Sequence, residues 1–224
     1  MKVYRSGRVA SLLLAGALVG FLGGIAADRT IFRSRAHSVI RERAILSQAD
    51  QFREGGSVIF GDSIVEFALL DPVCGRPILN AGVRGALLDD VIRLSEVILA
   101  RKAFDTVIVA VGVNDAEWGK PRKIQLWLQN YEMLLQRIQR HQVRRVYVKA
   151  IDPVEPGKPF GDKTFDQSFI NLENDGLADL SKKYDAQFVR PPASMTGQTG
   201  DGVHPSASGY TDLRKRLGAS IECS

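Results

Sequence analysis

Beyond residue 56 the apolar and polar positions fall into two alternating patterns. Short, nearly continuous apolar runs rich in β-branched residues occur at Ser57–Phe60, Thr106–Val111, Arg145–Ala150 and Ala186–Val189, with a weaker one at Pro77–Asn80. These are the pattern of strands buried on both faces. Between them, Leu87–Arg101, Lys123–His141 and Phe169–Tyr184 show helical spacing, and Ser206–Ser220 closes the chain as a helix. Apolar strands alternating with helices predict an α/β domain with a parallel sheet covered on both sides. Such sheets bind ligands just beyond the carboxyl ends of their strands. The residues at those ends are therefore where function should be sought.

The first part of the chain follows a different pattern. Val9–Ala27 is an uncharged run of 19 residues. At 1.5 Å per residue a helix of that length reaches roughly 28 Å, about the hydrocarbon thickness of a bilayer. The run is longer than the usual apolar region of a cleaved signal peptide. Gly24-Ile25-Ala26, however, ends in the small residues that a signal peptidase accepts, so anchor and signal peptide both stand. Gly16, Gly20 and Gly24 recur at a spacing of four, either as a helix-packing face or as ordinary glycine usage. Ala36–Phe52 reads as a polar helix with Val39, Ile40, Ile45 and Leu46 on one face, ending at Gly55-Gly56. The expected organisation is a signal anchor or signal peptide over 1–28, a helical spacer or lid over 29–56, and a catalytic domain over 57–224.

Composition fits one full-sized core. The chain has 224 residues, 45% of them hydrophobic and 25% charged, which argues against disorder as the main state. The net charge of +5 comes largely from the flanks of the apolar run. Lys2, Arg5 and Arg8 precede it, and Arg29, Arg33, Arg35, Arg41 and Arg43 follow. That placement suits a membrane-flanking segment better than a nucleic-acid surface, so no nucleic-acid partner is expected. The denser N-terminal cluster places the bulk of the chain outside the cytoplasm. Cys74 and Cys223 lack metal-ligand spacing; whether they pair stays open.

Four strand ends carry candidate chemistry. The first leads into Gly61-Asp62-Ser63-Ile64, with Ser63 near the start of a helical stretch (Val65–Ala68). Unpaired N–H groups there favour a nearby oxyanion. The second ends in Asn80-Ala81-Gly82-Val83-Arg84-Gly85, where Gly82 lets the backbone approach a ligand. The third ends in Gly112-Val113-Asn114-Asp115, where the Asn114 amide can donate to the same oxyanion. The last motif is Asp201-Gly202-Val203-His204-Pro205. A serine hydroxyl is a weak nucleophile and needs a base. Imidazole, with a reference pKa of about 6.5, can take and return a proton near pH 7. Asp201, three residues earlier, can orient the ring. His37 and His141 lie in the spacer and at the end of a basic helix. Each motif alone reads better as a cap or a turn; the four in order, at successive strand ends, point to nucleophilic acyl chemistry.

In these four blocks the chain resembles the SGNH (GDSL-like) hydrolase family. Ser63, Gly82, Asn114 and His204 match its name-giving residues, and Asp201 matches its D-x-x-H aspartate. Ile64 stands where the family has leucine. No G-x-S-x-G elbow is present. The resemblance covers about Ser57 to Ile221. It implies a three-layer α/β/α sandwich around a flavodoxin-like, five-stranded parallel sheet, here preceded by an N-terminal membrane helix. It further implies ester chemistry without metal or cofactor. Ser63 would be the nucleophile, His204 the base and Asp201 its orienting acid. The Ser63 and Gly82 N–H groups and the Asn114 amide would form the oxyanion hole.

The expected partners are a small acyl ester or acylated glycan, and the membrane through the N-terminal helix. Glu117, Trp118 and the Pro153–Asp166 loop are candidate pocket-lining segments. Three functions compete: an esterase outside the cytoplasm, an O-acyltransferase using the same residues, and a catalytically silent glycan-binding module. Intact Ser63, Asp201 and His204 argue against the third.

Overall fold

The computed structural model describes residues 36–120, 123–158, 160–161 and 163–221. The 9–27 run and Cys223 therefore lie outside the described residues, and the membrane helix expected there is not part of the fold described below. Among the described residues no helix is long and apolar enough to cross a membrane. The chain divides into two compact units, 1–41 and 42–224.

Helix α1 occupies 36–51. It is followed by β1 (Gly56–Gly61), α2 (Ser63–Glu66), β2 (Ile78–Gly82), α3 (Leu88–Leu99) and β3 (Phe104–Ala110). The chain continues through α4 (Ile124–Gln139), β4 (Arg145–Lys149), α5 (Gln167–Lys183), β5 (Gln187–Val189) and α6 (Ala207–Ser220). The five strands are all parallel, in the order β2-β1-β3-β4-β5. This is the strand order of a flavodoxin-like sheet, whose ligand crevice lies where the order reverses, between β1 and β3. Val58, Phe60, Val107, Ile108, Val109 and Val148 are fully buried, as strands covered on both faces must be.

Helices α3, α4 and α5 lie side by side. On the α6 side, the Tyr210 hydroxyl donates to the Ile64 carbonyl at 3.1 Å, and Leu213 and Leu217 share a cavity lining with Ile64 and Val65. The α2 turn is thus held between the sheet and α6.

Element boundaries differ from the periodicity in ways with local causes. Helix α5 starts two residues earlier than its apolar pattern because the Asp166 side chain accepts the N–H groups of Ser168 and Phe169. The stretch after Ser63 is a single four-residue turn that begins at the serine itself. Strand β2 extends to Gly82 because its pairing with β1 runs through Gly61–Gly82. The compact unit that holds the sheet begins at Glu42 and not at residue 57. Ile45 and Ala49 of α1 are fully buried in its core, and Arg93 of α3 grips Glu42 with two bonds of 3.0 Å. The second half of the expected spacer therefore belongs to this unit, because its apolar stripe finds the core.

Candidate active site

Asp62 follows β1 in extended backbone and caps α2, its Oδ1 accepting the Ile64 N–H at 2.8 Å. This cap turns the chain sharply, so Ser63 becomes the first residue of the helical turn at the sheet's carboxyl edge. Asp62 is buried. Burial pushes its carboxyl up to about 6, against the opposing pull of the Ile64 N–H and the Lys149 charge.

The Ser63 hydroxyl lies 2.8 Å from Nε2 of His204. Nδ1 of the same ring lies 2.7 Å from Oδ2 of Asp201. An ionised carboxylate can only accept, so it assigns the ring proton to Nδ1 and leaves Nε2 free to accept from the serine. The other carboxylate oxygen of Asp201 accepts the N–H groups of Val203 at 3.1 Å and of His204 at 2.8 Å. That double use explains the D-x-x-H spacing. One oxygen closes the turn, while the other reaches the ring three residues on. Gly202 makes the turn possible, since its φ is +90° and a Cβ there would strike the Lys158 carbonyl. Burial acts to raise Asp201, but the His204 N–H, the His204 ring and the Val203 N–H together hold it below the usual carboxylate range.

The candidate oxyanion donors come from three neighbouring strand ends. Ser63 follows β1, and Gly82 ends β2 beside it. A Cβ on Gly82 would run into the Glu66 backbone nitrogen, so only glycine fits. The Gly82 N–H donates to Oδ1 of Asn80 at 3.0 Å, while Nδ2 of Asn80 holds the Val65 carbonyl at 2.7 Å. Gly82 must therefore share or release its N–H before it can serve an oxyanion. Asn114, 9% exposed, donates one amide hydrogen to the Ala86 carbonyl at 3.1 Å, which uses one of its two donors. The next residue, Asp115, accepts the Leu88 N–H at 3.2 Å and so ties the Asn114 loop to the start of α3. Burial pushes the Asp115 carboxyl up to about 7.

Two aromatic rings flank the imidazole, Phe67 at 5.6 Å and Phe160 edge-on at 5.0 Å between centroids. Phe160 lies in the Pro153–Asp166 loop that the sequence offered as pocket-lining, whereas Phe67 did not stand out. Phe67 is 48% exposed, open for contact with a ligand. Trp118 is exposed, with its backbone N–H donating to the Thr164 carbonyl at 2.9 Å. Glu117 is paired with Lys120 at 2.9 Å and Lys163 at 3.0 Å, and Lys120 also holds the Asn114 carbonyl at 2.8 Å. Asn80, Asp115 and Glu155 also organise the site. Asn80 and Asp115 sat inside recognised motifs, but their roles rest on contacts across 12–27 residues that no local pattern encodes.

A hydroxyl, an imidazole and a carboxylate in one hydrogen-bonded line, at the carboxyl edge of a parallel sheet, form a serine-hydrolase type of relay. Residues 59–211 match the GDSL-like lipase/acylhydrolase family, and the chain belongs to that family. It is an enzyme of the esterase and acylhydrolase kind. Among solved structures it is similar to a Streptococcus pneumonia protein whose description names a platelet activating factor. That match has 23% identity and a TM-score of 0.77, over 89% of this chain and 99% of that one. It is also similar to a lipase/acylhydrolase from Enterococcus faecalis (20%, 0.60, 74% and 94%). A third likeness is to the acetyl xylan esterase AlAXEase (17%, 0.63, 75% and 100%). At these identities the likeness is one of fold. A comparison with curated proteins found no match.

Proposed function

We propose that this enzyme is a serine esterase that removes small acyl groups, O-acetyl groups of a glycan among them, outside the cytoplasm. The observation that carries the reading is the unbroken line from Asp201 through His204 to Ser63, with contacts of 2.7 and 2.8 Å. In this mechanism His204 takes the Ser63 proton as the oxygen attacks the acyl carbonyl. Asp201 holds the ring in the reactive tautomer and stabilises the imidazolium. The Ser63 N–H and the Asn114 amide donate to the oxyanion, joined by Gly82 once Asn80 yields. His204 then protonates the leaving alcohol, and water, activated by the same imidazole, releases the acyl group from Ser63.

Three observations support the finer points. Acetyl xylan esterases share the fold. Phe67 and Phe160 stand beside the imidazole that hands a proton to the leaving alcohol, where a sugar ring or other apolar face could rest on them. The 9–27 run would bring the chain to or through a membrane.

The test pairs a fluorophosphonate probe with graded model esters. Ser63 should be labelled, and Ser63→Ala should lose labelling and most ester hydrolysis while its circular dichroism is unchanged. Acetyl esters should be preferred to long-chain ones. Labelling of another serine, or full activity in Ser63→Ala, defeats the mechanism. Acetyl transfer to an added polysaccharide without acetate release would convert the esterase into a transferase.

A further inference from the structure

One buried carboxylate stitches two loops of the site together. Glu155 lies in the segment after β4 and is 7% exposed. Its Oε1 accepts the Gly197 N–H at 2.8 Å. Its Oε2 accepts the Thr199 N–H at 3.2 Å and the Thr199 hydroxyl. The Lys158 ammonium lies 3.1 Å away and also donates to the Thr199 carbonyl at 3.0 Å. The Glu155 backbone N–H donates to the Gly202 carbonyl at 2.8 Å. The Thr199 hydroxyl oxygen in turn accepts the Gly202 N–H at 3.0 Å. The contacts fall on both sides of Asp201, at 197 and 199 before it and at 202 after it.

Backbone bonds from Gly200 to His204 and from Ser206 to Gln198 close this segment on itself, and Glu155 ties it to the loop after β4. The segment leaves β5, a three-residue strand at the edge of the sheet. A charged acceptor with several donors is the strong kind of hydrogen-bond centre and can keep an irregular loop in one conformation. The Thr199 hydroxyl and the Gly197 N–H hold the Glu155 carboxyl down at about 2, so it stays ionised wherever imidazole chemistry runs. Lys158 and Phe160 belong to the same loop as Glu155, and Phe160 sits against the His204 ring.

We propose that Glu155 is a positioning residue, which fixes residues 197–202 so that the Asp201 carboxylate meets the His204 ring. The inference rests on the relay read above. It differs from a purely stabilising role because it places the effect of Glu155 on the same step as that of Asp201.

The experiment uses the full chain with Glu155→Gln, which keeps size and an acceptor oxygen but removes the charge. Below the melting transition, kcat should fall by up to about 10²-fold, the scale of a misplaced catalytic group, with KM little changed. Fluorophosphonate labelling of Ser63 should slow in proportion. In an Asp201→Asn background the same change should cost little more, since the carboxylate it positions is already gone. A second pair guards against a folding defect: Thr199→Ser, which keeps the hydroxyl, should stay active, and Thr199→Val should follow Glu155→Gln. The inference is overturned if Glu155→Gln lowers only the melting temperature, or if its loss multiplies in full with that of Asp201→Asn. If Asp201→Asn is itself inert, the relay reading fails and takes this inference with it. If Asp201→Asn acts and neither Glu155→Gln nor Thr199→Val does, only the inference fails.

Discussion

The two halves of the site are built in different ways. Ser63 follows β1, a strand paired on both sides and lined by fully buried Val58 and Phe60. Its position is a by-product of the core, since moving it would mean moving the middle of the sheet. Asp201 and His204 follow β5, which pairs on one side only, and their loop is held by side-chain hydrogen bonds from Glu155, Thr199 and Lys158. One half of the relay thus inherits the domain's global stability. The other depends on a few polar contacts that can open locally without unfolding the rest.

Asp201→Asn should break the polar half most deeply. The fold should persist, while activity falls by up to about 10⁴-fold as the His204 ring loses its fixed tautomer. Beside it, the double mutant Asp201→Asn/His204→Ala should be no worse than His204→Ala alone. Steady-state kinetics on a model ester decide this, and a full product of the two losses would separate the pair.

On the sheet side, Asn114→Ala should lower kcat by about 10²–10³, roughly 2.7–4 kcal/mol, with a small change in KM. An equal loss in ground-state binding would show that Asn114 acts as a substrate contact instead of an oxyanion donor.

Stability should respond to pH in two opposed windows. Asp62 and Asp115 keep their protons to about 6 and about 7 when folded, above the ordinary aspartate value of 3.8. The folded state therefore binds more protons between about pH 4 and 7, and their contribution falls as pH rises through that window. Each group adds at most about 1.4 kcal/mol per pH unit to the slope. Glu155, held at about 2 against 4.5, works the other way, and its contribution is lost as pH falls through that range. Denaturant melts of Asp115→Asn from pH 4 to 8 should show a flatter decline than the parent. An unchanged slope would remove Asp115 from the account.

Ile108→Val, at a fully buried position of β3, should cost about 0.5–1.5 kcal/mol in stability and leave kcat unaltered. A fall in kcat would mean that the core and the relay are not as separable as the comparison holds.

Legibility in the sequence follows the same divide. The apolar runs predicted all five strands, most clearly the central β1, β3 and β4, because a strand buried on both faces needs side chains that no loop would supply. Helix ends were less legible. Asp166 begins α5 through a cap that precedes the apolar pattern. Residues 42–51 looked like a spacer because only Ile45 and Ala49 are fully buried there, too few for a strong stripe. The motifs brought Ser63, Asn114, Asp201 and His204 forward as candidates. They did not bring forward Glu155, whose side-chain partners Gly197 and Thr199 lie 42 and 44 residues away. Nor did they foresee that Asn80 occupies the Gly82 N–H. The Glu155 bonds join distant loops and leave no periodicity behind them, whereas the Asn80 bond spans two residues and is a local asparagine turn contact.

The span between the two halves bears on how the enzyme comes into being. Ser63 and His204 are 141 residues apart in the chain. While the polypeptide is being made, the serine emerges first and waits without its base until residue 204 has been added. No fragment ending before His204 carries the whole relay. A producing cell is thereby spared a working esterase on fragments that stop short of His204, and activity becomes a report that the chain has been made through that residue and folded.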